Sequence, residues 1–497
     1  VRFPLAGPTI AGVLWSAALA AAQSAPDVNA QAAALLEDGR VYWKKQQFKQ
    51  ALDNFNAIVT SFGESDSADN ALLEIGRYYQ EVESDTAKAR AAFDDVAKRF
   101  PQGDAAPGAY YYLGLLAMET ANTVPALNDA IAQFQRMQRL YPGSEWVAPG
   151  HYASGLAHRK AGRLAEAVQS HRRVTLEHPT AAVAPAAQFQ IGHCLALLGE
   201  ATEAMEEFQH VRDHFPDSAW AKTALDRTTA LYRLHGYTKP VFTNDATFDV
   251  PAGQALKDVR AILMTPSRTL WLASDKVHQV VPIEEGGKMG AGLSGQNLRA
   301  LSLSPKGDLV ATTRSAVRIG PRDIKTFAVP GDKPGEMKSL DDLTSAVVLP
   351  AGDLLVADAD RKRVYRYSAA GEYVGPFPDD KEREVIQMAI DGEGGIVLLD
   401  RKTKTVAVFD SSGKPLRSVG PRGQGFEIRK PVDVAVDPFL DLHVADEEAG
   451  VFVFSPSGEL LTTVHGEEMK RLKALALDVE GSILVYDERA EKVLRYR

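Results

Sequence analysis

Asp353-Leu354-Leu355-Val356-Ala357-Asp358, then Arg363-Val364-Tyr365-Arg366-Tyr367 and Gly371-Glu372-Tyr373-Val374, recur in the same order as Asp441-Leu442-His443-Val444-Ala445-Asp446, Val451-Phe452-Val453-Phe454 and Gly458-Glu459-Leu460-Leu461. Each stretch reads as three short apolar strands broken by turn residues. Outward on both sides the unit repeats around a turn between two strands. These turns are Pro266-Ser267-Arg268, Pro305-Lys306-Gly307, Pro350-Ala351-Gly352, Gly392-Glu393-Gly394, Pro438-Phe439-Leu440 and Val479-Glu480-Gly481. Their last residues are 39, 45, 42, 46 and 41 positions apart. Six units of this length, each of three or four strands, predict a six-bladed β-propeller over 246–497. The chain stops at the third strand of the last unit, Val493-Leu494-Arg495-Tyr496-Arg497, and the alternating segment 246–250 is expected to supply the fourth, which removes two exposed edges.

Upstream of a linker at 237–245 the period changes. An aromatic residue or His followed by Pro or Gly recurs at Phe62-Gly63, Phe100-Pro101, Tyr141-Pro142, His178-Pro179 and Phe215-Pro216. Between these marks lie paired apolar stretches with spacing near 3.6, the pattern of helical hairpins. Gly155, Gly162, Ala167 and Pro179 are matched by Gly192, Gly199, Ala204 and Pro216 at a uniform offset of 37. An aromatic follows the Ala by one turn in Ala51/Phe55, Ala89/Phe93, Ala130/Phe134 and Ala204/Phe208. The small residue lets helices approach, and the aromatic is expected to fill the gap against the neighbouring hairpin. The fold class is therefore multidomain, a helical solenoid at 29–236 with about five hairpins and a capping helix, followed by the propeller.

The Gly, Ala, aromatic and Pro positions of the helical half resemble the tetratricopeptide repeat. Junctions such as Phe100-Pro101-Gln102-Gly103 and Tyr141-Pro142-Gly143-Ser144 are similar to those of exported bacterial members, outer-membrane assembly factors and the Tol-Pal-associated periplasmic protein. The strand-Asp, basic-Val-aromatic, Gly-turn cadence of the β half resembles NHL-repeat propellers, although the Asn-His that often precedes the Arg-Val step there is missing. Both resemblances imply binding architectures. Because NHL-type propellers include a zinc-dependent amidating lyase, a lyase or hydrolase is one alternative, and a glycan- or small-ligand-binding sensor is another.

The first 22 residues carry one cation, Arg2, an apolar run from Ile10 to Ala22 and the small residues Ala20-Ala21-Ala22 before Gln23, the layout of a cleavable signal peptide. Export to the periplasm or the outer membrane of a bacterium is the expected localisation. The cleavage site has no cysteine, so no lipid anchor and no stable membrane insertion are expected. With 56 basic against 65 acidic residues the formal charge is −9, which gives no global field for nucleic acid. The single Cys194 excludes an intrachain disulfide and a thiolate metal cluster.

On the concave face of stacked hairpins, lined by first helices, the reading places Arg40, Trp43, Arg77, Tyr111, Met118, Tyr152, Arg159, Phe189 and His193. Aromatic and basic residues suit an extended peptide or a partner's helix. The same aromatics are equally accounted for as packing inside the array. The strand-end acids Asp358, Asp400, Asp446 and Asp487 are expected to accept backbone N–H bonds in the following turn rather than to ring a metal. His278, His443 and His465, the histidines of the β half, occupy non-equivalent positions, and no phosphate loop or nucleophile motif occurs. The expectation is a scaffold with no enzymatic activity, cofactor or metal. Its groove takes one protein partner, its propeller face takes a second protein or a glycan, and it serves envelope assembly or maintenance.

Overall fold

The computed structural model describes residues 28–119, 124–236, 242–246, 248, 250, 253–284, 287–331, 333, 335–377 and 382–497. The expected signal peptide lies outside these residues, as do the inter-helix turn at 121–123 and linker positions 237–241. The chain divides into two compact units, 1–183 and 184–497.

In the first unit, four hairpins are built from α1 (Val28–Lys44) with α2 (Phe48–Ser61), α3 (Ala68–Glu81) with α4 (Thr86–Arg99), α5 (Ala106–Glu119) with α6 (Val124–Leu140), and α7 (Val147–Lys160) with α8 (Leu164–Glu177). The second unit opens with α9 (Ala184–Leu197), α10 (Ala201–His214) and α11 (Ala219–His235). Asp85 caps α4 by accepting the Lys88 N–H, and Gly162, in the left-handed region at φ 73°, ends α7.

The aromatic of each second helix lies over the glycine of its own first helix. The pairs are Gly39/Phe55, Gly76/Phe93, Gly114/Phe134, Gly155/His171 and Gly192/Phe208, and in each a Cβ on the glycine would collide with the ring. Each ring thus fills space inside its own hairpin, and Phe93 also stacks on Tyr112 of the neighbouring hairpin at 5.1 Å, as expected of it. The glycine, not the alanine, makes its seat. Ala51, Ala89, Ala130, Ala167 and Ala204 and all five rings are fully buried. Truncating any one of the phenylalanines would cost about 3–5 kcal/mol.

The propeller has six blades with first strands Val259–Met264, Leu298–Leu303, Leu343–Val348, Val385–Ile390, Pro431–Val436 and Leu472–Leu477. Each blade is an antiparallel meander in chain order. Apolar clusters fill the space between neighbouring blades, as where Val347, Leu355 and Val364 of the third blade meet Met388, Leu398 and Phe409 of the fourth. Every first strand shifts register once near its start, between Leu343 and Ser345, Val385 and Gln387, and Pro431 and Asp433 in blades three to five. These positions link blades. The Ser345 hydroxyl donates to Gln387 Oε1 at 2.8 Å, Gln387 Nε2 donates to Asp433 Oδ1 at 3.0 Å, and the Leu475 N–H of the sixth blade donates to Asp433 Oδ2 at 2.8 Å. Burial pushes the Asp433 carboxyl up to about 7.

The sixth blade has three strands of its own, and its outer edge is paired by 243–245 rather than by 246–250. Thr243 and Arg497 exchange two backbone bonds, and the Asp245 N–H donates to the Arg495 carbonyl at 2.8 Å. Of 246–250, residues 247 and 249 lie outside the described residues. Phe248 and Val250 pack against the cluster of Ala474, Leu484 and Tyr486 between the sixth and first blades. Their alternation arises from filling that gap, while Arg495 and Arg497, each within 3.4 Å of Asp245, fix the pairing one step earlier.

Candidate partner-binding surfaces

In the first unit, the groove candidates on α1 and α3 come together. Arg77 lies with its guanidinium 5.2 Å from the Trp43 ring and 5.8 Å from the Tyr112 ring of α5. Below it, Glu74 accepts from Arg77 at 2.8 Å and from Arg40 at 3.4 Å, and Glu81 accepts from Arg77 at 3.1 Å. The carboxylates hold the guanidinium between two half-buried rings, so Trp43, Arg77 and Tyr112 form a ladder across three successive first helices. Burial pushes the Tyr112 hydroxyl up to about 12, which keeps it a neutral donor.

Tyr111 and Met118 serve the interior more than the groove. Tyr111 packs on Trp146 at 5.1 Å and Phe134 at 5.9 Å, and Met118 packs on the buried group of Ala117, Ala130, Phe134 and Ala153. Tyr152 leans on His171 at 5.4 Å, and Arg159 lies half-buried about two turns further along α7. Tyr112, not Tyr111, is the tyrosine of the run Tyr110-Tyr111-Tyr112 that faces Arg77, and it also stacks on Phe93 at 5.1 Å and meets Trp146 at 5.6 Å. The glycines supply the register. Tyr112 stands two residues before Gly114 as Glu74 stands two before Gly76, which places both at the same station of the face.

In the second unit, Phe189 is 5% exposed and packed against Phe208 and Trp220 at 5.1 and 4.8 Å. It is core, because α10 and α11 cover its face of α9. His193 places Nε2 3.6 Å from Glu393 in the fourth blade's first turn. Both helices α9 and α11 therefore reach the propeller. The Ala230 side chain of α11 lies against Gly481, where a Cβ would come within 2.9 Å of it. Arg233 donates to the Ser482 hydroxyl, Asp226 pairs with Arg268 at 3.2 Å, and Arg268 pairs with Glu480 at 2.7 Å. Leu234 is buried among Ala445, Val451, Ile483 and Val485. His235 sits 3.4 Å from the buried Asp441; their hydrogen bond raises the His235 pKa, and burial followed by Asp437 raises that of Asp441 to about 6.

These contacts fall on turns that join first to second strands, and so on one end of the blade ring. They explain why the compact units divide at 183/184, one hairpin and a cap earlier than the change of repeat type at 237–245. The tie was invisible in sequence, since Asp226, Arg268 and Glu480 are ordinary surface charges until folding joins them.

The strand-end acids bind backbone. Asp358 accepts from the Arg361 N–H and Asp400 from those of Lys402 and Thr403. Asp446 holds Glu448 and Ala449 through one oxygen, and Arg429 and Lys430 through the other; Asp487 likewise holds Ala490, Lys470 and Arg471. His443 is buried 3.8 Å from Asp437 in the second strand of the fifth blade, whereas His278 lies in the turn after the second strand of the first blade. Among the described residues, no three of His, Cys, Asp and Glu gather in a group that could hold a metal ion. No helix among them is long and apolar enough to cross a membrane.

Residues 28–151 match the family model described as YfiO, outer membrane lipoprotein, and residues 186–218 match a tetratricopeptide-repeat model. No curated protein matches the chain. Among solved structures, a streptogramin B lyase is similar at 9% identity over 52% of this chain and 97% of its own, with a TM-score of 0.38. A gluconolactonase from Xanthomonas campestris is similar at 14% identity over 52% and 98%, with a TM-score of 0.39. A catalytically inactive virginiamycin B lyase from Staphylococcus aureus with quinupristin is similar at 14% identity over 51% and 84%, with a TM-score of 0.38. The chain thus joins a helical region of tetratricopeptide type, 28–235, to a six-bladed β-propeller, 259–497.

Proposed function

We propose that this chain is an exported scaffold of the bacterial cell envelope that acts by binding. Its helical face captures a segment of one protein partner, and its propeller, a relative of the NHL type, engages a second. The observation that carries this reading is the ladder of Trp43, Arg77 and Tyr112, half-buried rings and a guanidinium held in place by Glu74 and Glu81. Aromatics and Arg fixed in advance lose little entropy on binding and supply most of the energy in protein interfaces. The match of 28–151 to an outer-membrane lipoprotein family and the signal-peptide layout of the first 22 residues favour the envelope as the compartment.

The test is affinity recovery from a crosslinked envelope fraction, comparing wild type with Trp43→Ala/Tyr112→Ala. Envelope proteins recovered by wild type and lost by the variant support the ladder as the capture site. Identical recovery by both removes it.

A further inference from the structure

The ring end opposite the α9 and α11 contacts carries a cavity of about 490 Å³, lined by starts of first strands and by turns after second strands. Its polar lining is cationic in an otherwise acidic chain. Arg260, Arg401, Lys404, Arg429, Lys430 and Lys473 stand there against Glu447 and Glu488. Exposure sharpens the imbalance. Arg401 and Arg429 are 63% and 66% exposed, while their partners Glu384 and Glu427 are 28% and 29% exposed and Glu447 is 17% exposed. Most carboxylates lie low and brace the cations; Glu448, beside Lys430, and Asp258, beside Arg260, stand at the rim. Lys404 is exposed and has no ion pair among the described residues.

The cations are presented on fixed backbone. The N–H groups of Arg429 and Lys430 are both held by Asp446 Oδ2, at 2.8 and 2.6 Å. Between the charges lies an apolar floor of Val259, Ile386, Pro431 and Val432.

The geometry points to this mouth as the docking site for an acidic peptide segment of a partner protein, with carboxylates meeting Arg401, Lys404 and Arg429 and an aliphatic side chain between them on the floor. A phosphate backbone fits less well, because the apolar floor gives it nothing, whereas Glu447 and Glu488 in the lining can accept peptide N–H groups. This rests on the reading of the propeller as a protein-binding module and names the chemistry of its partner.

The test uses the full chain and a fluorescein-labelled peptide of alternating Glu and Leu, read by anisotropy. The comparison probes are the Lys-Leu peptide, a single-stranded oligonucleotide and polygalacturonate. The Glu-Leu peptide should bind, less tightly as salt rises, and Arg401→Glu/Arg429→Glu should weaken it about tenfold or more. Lys404→Ala, which breaks no ion pair, should weaken it several-fold with thermal unfolding unchanged, so that loss of binding is not loss of fold. The Trp43→Ala/Tyr112→Ala variant should bind the peptide as wild type does, which separates this mouth from the helical ladder. Absence of peptide binding, binding by both mouth variants as tight as by wild type, or tighter binding of the oligonucleotide or polygalacturonate overturns the assignment.

Discussion

His171→Phe should remove an acid-labile point from the first unit. His171 occupies the station held by Phe55, Phe93, Phe134 and Phe208 in the other hairpins, fully buried over Gly155, and neither ring nitrogen has a hydrogen-bond partner among the described residues. Burial, followed by the charges of Arg159 and His158 on α7, lowers its pKa from 6.5 to about 3. In the unfolded chain the imidazole takes up a proton near pH 6.5, but in the folded hairpin it does not until about pH 3. Stability is therefore complete above pH 6.5 and is lost as pH falls through that window. At pH 5 the loss is 1.5 units at about 1.36 kcal/mol each, ~2 kcal/mol, and a folded pKa anywhere below about 4 gives the same figure.

Hydrogen exchange of the α7 and α8 amides in the full chain, corrected for intrinsic rates, measures the opening free energy of this hairpin. In wild type it should fall between pH 7.5 and 5, by more than His171 alone supplies, because His151 is also lowered, to about 4, chiefly by burial. In His171→Phe the fall should be smaller by ~2 kcal/mol, and the variant should also gain about 1–3 kcal/mol at pH 7.5 from removal of the unpaired nitrogens. An unchanged pH dependence in the variant would refute the reasoning.

Gly481→Leu should release α11, since Gly481 sits at φ 76° with Ala230 against it; amide exchange in α11 should rise by about 2–4 kcal/mol of lost protection, with the blade amides little changed. Asp446→Ala strips four backbone N–H groups of their acceptor and should lower stability of the fifth blade by about 3 kcal/mol, read as a drop in the urea midpoint of propeller unfolding. Asp245→Ala removes the partner of Arg495 and Arg497 and should speed exchange of the amides at positions 245 and 497 before any other part of the sixth blade. Equal protection in variant and wild type would refute the last.

The hairpins and blades were legible because each rests on a local rule repeated at a fixed period. Gly39, Gly76, Gly114, Gly155 and Gly192 mark where a ring must sit, and the strand-end acids mark where a turn needs an acceptor. His171 escaped notice because an imidazole does not look like the phenylalanine it replaces. The hairpins at Ala328–Pro330 with Met337–Ser339 and at Arg422–Gly423 with Phe426–Glu427 fall between blades, are too short for any periodicity, and were not read at all. Of the groove candidates, Arg40, Trp43 and Arg77 come together because they recur on one face of two successive first helices, and Glu74 and the Trp43 ring draw the two cations in. Phe189 was misplaced because the helix that buries it, α11, belongs to no repeat.

The strand that completes the sixth blade begins only a few residues beyond the end of α11. The two attachments are therefore arranged in series along the chain. A pull transmitted from the helical side loads the docking of Ala230, Arg233 and Leu234 first and reaches the Thr243 to Arg497 pairing only after that docking has failed. Single-molecule extension should show release of α11 as a separate early step, with the ring intact behind it. Under such a pull the chain would yield at a helix that can re-seat, and keep its propeller closed.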